Sequence, residues 1–309
     1  MSTTAEVLEK LRGLDGPTLL ALVDTFPGER QGIDAVLNGS KTIKLEDAVR
    51  LLFDKNSRFI PFAGMESRFC DPAPKYRVSQ PEINLGQYLE ACRRFLPKEL
   101  ADTLMGQSEF EDSVRKVKAR LEGDERTKNA LKGPWFPVAL PKMDGDYGAI
   151  LDILAEAAKK AYEAAFPGRT FYNHRHETLA EQTSIVPGTR HDRLVEAVKE
   201  KSQAGIFLLP FGGFSIEACR ETFSGHNYSV NIPEWLTLGG GWDTAMAYLA
   251  YSKVLCRNIE TPIVRCAALN WQSGCSLGFR ACDAHASFGH TYDLANAKDS
   301  YSAGVFCRG

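Results

Sequence analysis

Two histidines stand one residue apart in FYNHRHE, at His174 and His176. Residues i and i+2 of a strand point to the same face, so both imidazoles could reach one metal ion. That makes the pair the candidate metal site. Further ligands would come from His191, His226, Cys282, Asp283, His285 and His290. The run CDAHASFGH offers Cys282, His285 and His290, but C-x-x-H-x-x-x-x-H matches no compact zinc module. The competing reading of the pair is a hydrogen-bonded or solvent-facing strand end.

A second constellation begins in LLPFGGFSIEACRE. Gly213 to Glu217 starts like the G-x-S-x-G nucleophile elbow, between an expected strand and an expected helix. Glu217 stands where that turn needs a glycine. Ser215 as nucleophile would draw on Asp243 and His285, or His290, as acid–base partners. Alternatively, Ser215 is the N-cap of a helix that carries Ile216, Cys219 and Phe223 on one face.

Glycine-rich turns supply the third idea: FGGFS, LGGGWD and PGTR each precede an expected helix. Backbone N–H groups at helix starts suit anions. Gly212, Gly213 and Gly240, with Arg190 adding charge, are therefore the candidate contacts to an anionic, phosphate-bearing ligand. The chain contains neither the P-loop pattern nor the dinucleotide fingerprint at these turns. No particular cofactor is indicated.

The elements that would position these residues follow from hydrophobic period. Val7, Leu8, Leu11 and Leu14, then Leu19, Leu20, Val23 and Phe26, form helical stripes, and Leu45, Val49, Leu52 and Phe53 continue them. Asp71 to Gly86 reads as an irregular connection, and helical patterns resume near Leu85–Phe95 and Phe110–Leu121. Beyond residue 130 short apolar runs alternate with helical ones. WFPVALP, TFYNHR and GIFLLPF read as strands, and DYGAILDILAEAAKKAYEAAFPG is the clearest helix. In GTRHDRLVEAVKEKS, Thr189 is the expected N-cap, with Asp192 returning the bond. MAYLAY is apolar nearly all round and belongs in a core.

Alternation of strand and helix predicts an α/β fold with a mixed, predominantly parallel sheet. The strands after residue 260, joined by tight turns, predict an antiparallel C-terminal extension. A helical region over 1–130 and a mixed α/β domain over 131–309 is the expected organisation.

A net charge of -2 and a pI near 6.3 give no reason to expect nucleic-acid or membrane-surface binding. RKVKAR, at Arg115 to Arg120, is followed by Glu122, Asp124 and Glu125, which suits a solvated helix face. The eight cysteines form no C-x-x-C pair, so reduced thiols in a cytoplasmic protein are expected. No motif names a reaction. The sequence favours a non-catalytic, structural or partner-binding role, with a partner or self-association through the N-terminal helices. A hydrolase or transferase, or a module for an anionic small molecule, is the alternative.

Overall fold

Apolar period decides the elements in order along the chain. A computed structural model of the chain describes residues 51–175, 177–225, 231–272 and 274–309. Residues 51–84 contain one 3-10 turn, Glu66–Arg68, and otherwise run irregularly. Helix α1 (Leu85–Phe95) opens where the Asn84 side chain accepts the Gln87 N–H, and it buries Tyr88, Leu89 and Cys92. A short α2 (Lys98–Ala101) leads to α3 (Gln107–Gly123), whose stripe Phe110, Val114, Val117 and Leu121 is buried. Its charges face water, where Arg115 pairs with Asp112 and Lys118 with Glu122.

After β1 (Trp135–Leu140) comes α4 (Tyr147–Ala165), capped by Asp146, whose carboxylate accepts the Ala149 N–H at 2.8 Å. Leu151, Leu154, Ala158 and Ala161 form its buried stripe. Then follow β2 (Thr170–Asn173), β3 (Thr183–Ile185), α5 (His191–Glu200), β4 (Gln203–Leu208), α6 (Ile216–Ser224) and β5 (Leu236–Leu238). The cap of α5 differs from expectation. Arg190, held at a φ of 62°, is the N-cap, while the Thr189 hydroxyl donates to the Val186 carbonyl.

Helix α7 (Gly241–Ala250) is buried from Gly241 to Leu249, as MAYLAY predicts, and packs on α4 and β1. After α8 (Ser252–Leu255), the C-terminal strands are β6 (Ile263–Arg265), β7 (Leu269–Trp271), β8 (Ser276–Ala281), β9 (His285–Thr291), β10 (Tyr301–Ala303) and β11 (Val305–Arg308). Tyr248 of α7 stacks on Phe279 at 4.4 Å, and Phe279 on Phe288 at 4.5 Å. Aromatic pairs of this kind add about 1 kcal/mol each beyond their burial, so α7 is fastened to β8 and β9.

The sheets overturn the predominantly parallel expectation. The four-stranded sheet runs β1-β4-β11-β5 and is antiparallel at every pairing. The five-stranded sheet runs β10-β6-β8-β9-β2; it is parallel only at its two outer pairings and antiparallel within. Strands β3 and β7 form a separate antiparallel pair. The helix after β4 does not carry the chain back to a neighbouring parallel strand. Instead β11, last in the sequence, fills the place between β4 and β5.

The expected helical region over 1–130 also needs correction: described helices begin only at Leu85. The stripes placed before residue 50 lie outside the described residues. Arg50–Gly309 forms one compact unit. Its two large sheets meet at Gly304, where the chain leaves β10 and enters β11. A Cβ there would lie 2.2 Å from the Phe207 ring, so only glycine lets the strand cross between sheets.

Candidate functional site

At the start of α7 three separated segments meet in a buried polar cluster. The Tyr147 hydroxyl accepts the Gly241 N–H at 2.8 Å and the Trp242 N–H at 3.4 Å. It donates its own proton to His191 Nε2 at 2.9 Å, which keeps that imidazole neutral. Burial also pushes the His191 pKa down to about 4, against weaker support from the Leu238 backbone and Asp192. Asp243 Oδ1 accepts the Gly240 N–H at 2.9 Å, and burial raises its carboxyl to about 7 despite backbone bonds at Gly240, Asp243 and Thr244. Both groups are fully enclosed. The cluster ties α4, α5 and α7 together.

The expected triad is not assembled here. Ser215 is buried, and its hydroxyl accepts the Ala218 N–H at 3.1 Å, so it caps α6 as the helix reading has it. Asp243 is committed to Gly240, and His285 stands at the start of β9 with its ring edge-on to Tyr172 at 5.2 Å. Substituting Ser215→Ala is expected to cost about 1 kcal/mol in urea unfolding, with no change in the fold read by circular dichroism. A cost near zero would mean that Ala218 finds another acceptor.

Of the histidine pair, His176 lies outside the described residues. His174 is exposed just past β2, and its N–H donates to the Phe288 carbonyl at 3.0 Å. His285 and His290 fall on opposite faces of β9, being an odd number of residues apart, so they do not converge. Among the described residues, no three His, Cys, Asp or Glu side chains are grouped to hold a metal ion.

The glycine turns have their donors in use. Gly240 N–H goes to Asp243 and Gly241 N–H to Tyr147. Gly213, at a φ of 82°, donates to the Tyr301 carbonyl at 2.8 Å. Arg190 Nη1 donates to the carbonyls of Ile232 and Pro233 at 2.9 and 2.7 Å. Gly212 alone of these faces open space, in the wall of a cleft of about 760 Å³.

That cleft is built from segments far apart in sequence. Pro72, Pro74, Pro134, Pro210 and Pro262 line it, beside Tyr76, Arg58, Tyr301 and Ser302. Proline fixes its own φ, so these walls are stiff before anything binds. Arg58 pins them: Nε donates to Gly212 O at 3.0 Å, Nη1 to Asp71 at 2.7 Å and Nη2 to Cys70 O at 2.7 Å. Its guanidinium also lies 5.8 Å from the Phe69 ring and 5.6 Å from that of Phe214. Burial would raise the Tyr301 hydroxyl pKa, but Arg265 and Lys298 outweigh it and leave the group more acidic than an ordinary tyrosine. Sequence reading found Gly212 here and missed Arg58, Tyr76 and Tyr301. The proline-rich stretch after Asp71 was the available signal.

No protein-family model, curated protein or solved structure matches this chain. No helix among the described residues is long and apolar enough to cross a membrane.

Proposed function

We propose that this chain is a non-catalytic binding protein of the cytoplasm, and that the proline-walled cleft holds a small molecule. The observation that carries the reading is the cleft itself: about 760 Å³ of open space held by Arg58 and five prolines. Ligand pockets run from about 300 to 1,000 Å³ and are largely formed in advance. Arg58 is already matched by Asp71, and the wall sets five prolines, Val78, Leu209, Tyr76 and Tyr301 among the charged groups of Asp54, Arg77 and Asp299. The prolines and tyrosines offer flat faces to a ring, and three carboxylates against two arginines disfavour an anion, so the lining suits a neutral, ring-bearing polar molecule. The capping role of Ser215 supports the non-catalytic side. The cytoplasmic side is supported by the cysteines, all eight of which are thiols.

Gly212 gives a clean test, since a Cβ there would meet only Pro72, at 3.5 Å. Substituting Gly212→Leu should keep the fold and fill the cleft. A thermal-shift screen of neutral heteroaromatic fragments should find stabilising hits on the wild type and none of them on the variant. Hits that stabilise both equally would place binding elsewhere and overturn the reading.

A further inference from the structure

The outer face of the five-stranded sheet gathers cations beside the cleft, and two of them, Arg265 and Lys298, lie against Tyr301 in its wall. Side chains alternate along a strand, so register decides which residues share a face. Arg265 pairs with Gly278, and Gly278 with Gly289. Two residues along β8, Arg280 stands opposite Ser287, which stands opposite Tyr172. His285 and His174 extend the same face by the same alternation. Opposite to it lie Val264, Phe279, Phe288 and Phe171, all core. These outward positions hold two arginines and two histidines and no carboxylate.

Arg265 is only 9% exposed, with its guanidinium 4.3 Å from the centre of the Tyr301 ring. Its Nε has no hydrogen-bond partner. Arg280 is exposed and acts on Arg265 as a like charge. Among the described residues neither arginine forms an ion pair with a carboxylate. Lys298 adds a third positive group, its Nζ 5.3 Å from the Tyr301 ring centre. The neighbouring acids are engaged or turned to other uses: Asp283 accepts the Ile259 N–H at 3.2 Å, and Asp299 lines the cleft. Gly278 keeps the floor bare, since a Cβ there would lie 2.8 Å from the Val264 carbonyl and 3.1 Å from Arg265 Cδ. At the far edge Tyr172 is 47% exposed.

We propose that this face binds a phosphate monoester carrying a flat ring, of the nucleoside monophosphate kind. Arg265 and Arg280 hold the phosphate through charge-assisted hydrogen bonds, and the ring stacks on Tyr172. Arg280 and Tyr172 are two strands apart, roughly 10 Å, which matches the reach of such a ligand from phosphate to base. An anion between the arginines also relieves their mutual repulsion. The cleft and this face meet at Tyr301 but are separate sites, and each can be blocked without the other.

Isothermal titration calorimetry on the full chain, with adenosine monophosphate, adenosine and inorganic phosphate as probes, tests the proposal. Adenosine monophosphate should bind more tightly than either fragment, and less tightly as salt rises. Substituting Arg280→Gln should weaken it by about tenfold or more. Substituting Tyr172→Ala should weaken adenosine monophosphate by about fivefold and leave phosphate unchanged. Both side chains are exposed, so neither change threatens the fold. Gly212→Leu should have no effect. The proposal is overturned by an absence of binding to adenosine monophosphate, by unchanged affinity in Arg280→Gln, or by loss of binding in Gly212→Leu.

Discussion

Replacing Gly240 by alanine is expected to lower the unfolding free energy by about 3 kcal/mol. The new Cβ would lie 2.3 Å from His191 Nε2 and 2.5 Å from its Cε1. The imidazole must therefore move, in a place where it is fully buried. Moving it breaks the bond from the Tyr147 hydroxyl, and that hydroxyl also receives the first N–H groups of α7. One methyl group thus disturbs the junction of three helices. Domains of ordinary stability hold about 5 to 15 kcal/mol in total, so the loss is a large part of it. Urea unfolding measures it directly. The conflict is with one ring, so in a His191→Ala background the same change should cost about 1 kcal/mol or less, a coupling that a double-mutant cycle resolves. Equal costs in both backgrounds would mean that the clash lies with the backbone.

The second large effect concerns pH. Asp243 is raised from 3.8 to about 7, so between these values it is protonated when folded and ionised when unfolded. Its contribution to stability is fully present below 3.8 and is lost as pH rises toward about 7. His191 does the reverse. It is lowered from 6.5 to about 4, so its contribution is fully present above 6.5 and is lost as pH falls toward about 4. The two slopes oppose each other across the shared window. Each amounts to about 1.4 kcal/mol per pH unit, and in the wild type they largely cancel. Substituting Asp243→Asn keeps an acceptor for the Gly240 N–H and removes one slope. The variant's stability should then climb with pH between about 4 and 6.5, relative to the wild type. Chemical denaturation at half-unit pH steps reads this difference. Parallel profiles for the two proteins would show that Asp243 is already ionised throughout.

Some of this was legible in the sequence for plain reasons. The stripe of α4 repeats over five turns and ends at Pro167-Gly168, so nothing local competes with the helix. Ser215 stands before an apolar stripe, and caps α6. The strands β1 and β4 were readable as short apolar runs, but strand sense was not. An apolar run buried on both faces looks the same in parallel and antiparallel surroundings. The insertion of β11 between β4 and β5 is a pairing over about a hundred residues that no local signal carries. Thr189 shows another limit: its hydroxyl had a nearer acceptor at Val186, and the backbone at Arg190 turned left-handed to start α5.

The candidate sites divide along the same line. Residues close in sequence, such as Gly212 and Gly213, could be noticed together, yet only the first borders open space. Arg58 and Tyr301 line one cleft from near opposite ends of the described chain. Tyr147, His191 and Gly240 likewise meet only through the packing of α4, α5 and α7. Side chains with no shared period or spacing become a site only once the topology is known.

The most direct measurement is backbone amide NMR of the wild-type chain titrated with the neutral heteroaromatic hits of the fragment screen. Shifts concentrated on Arg58, Tyr76, Gly212 and Tyr301, and absent when the same fragments are added to Gly212→Leu, are the expected result. Shifts scattered over the surface, or a focused set elsewhere that survives in the variant, would contradict a ligand site in the proline-walled cleft.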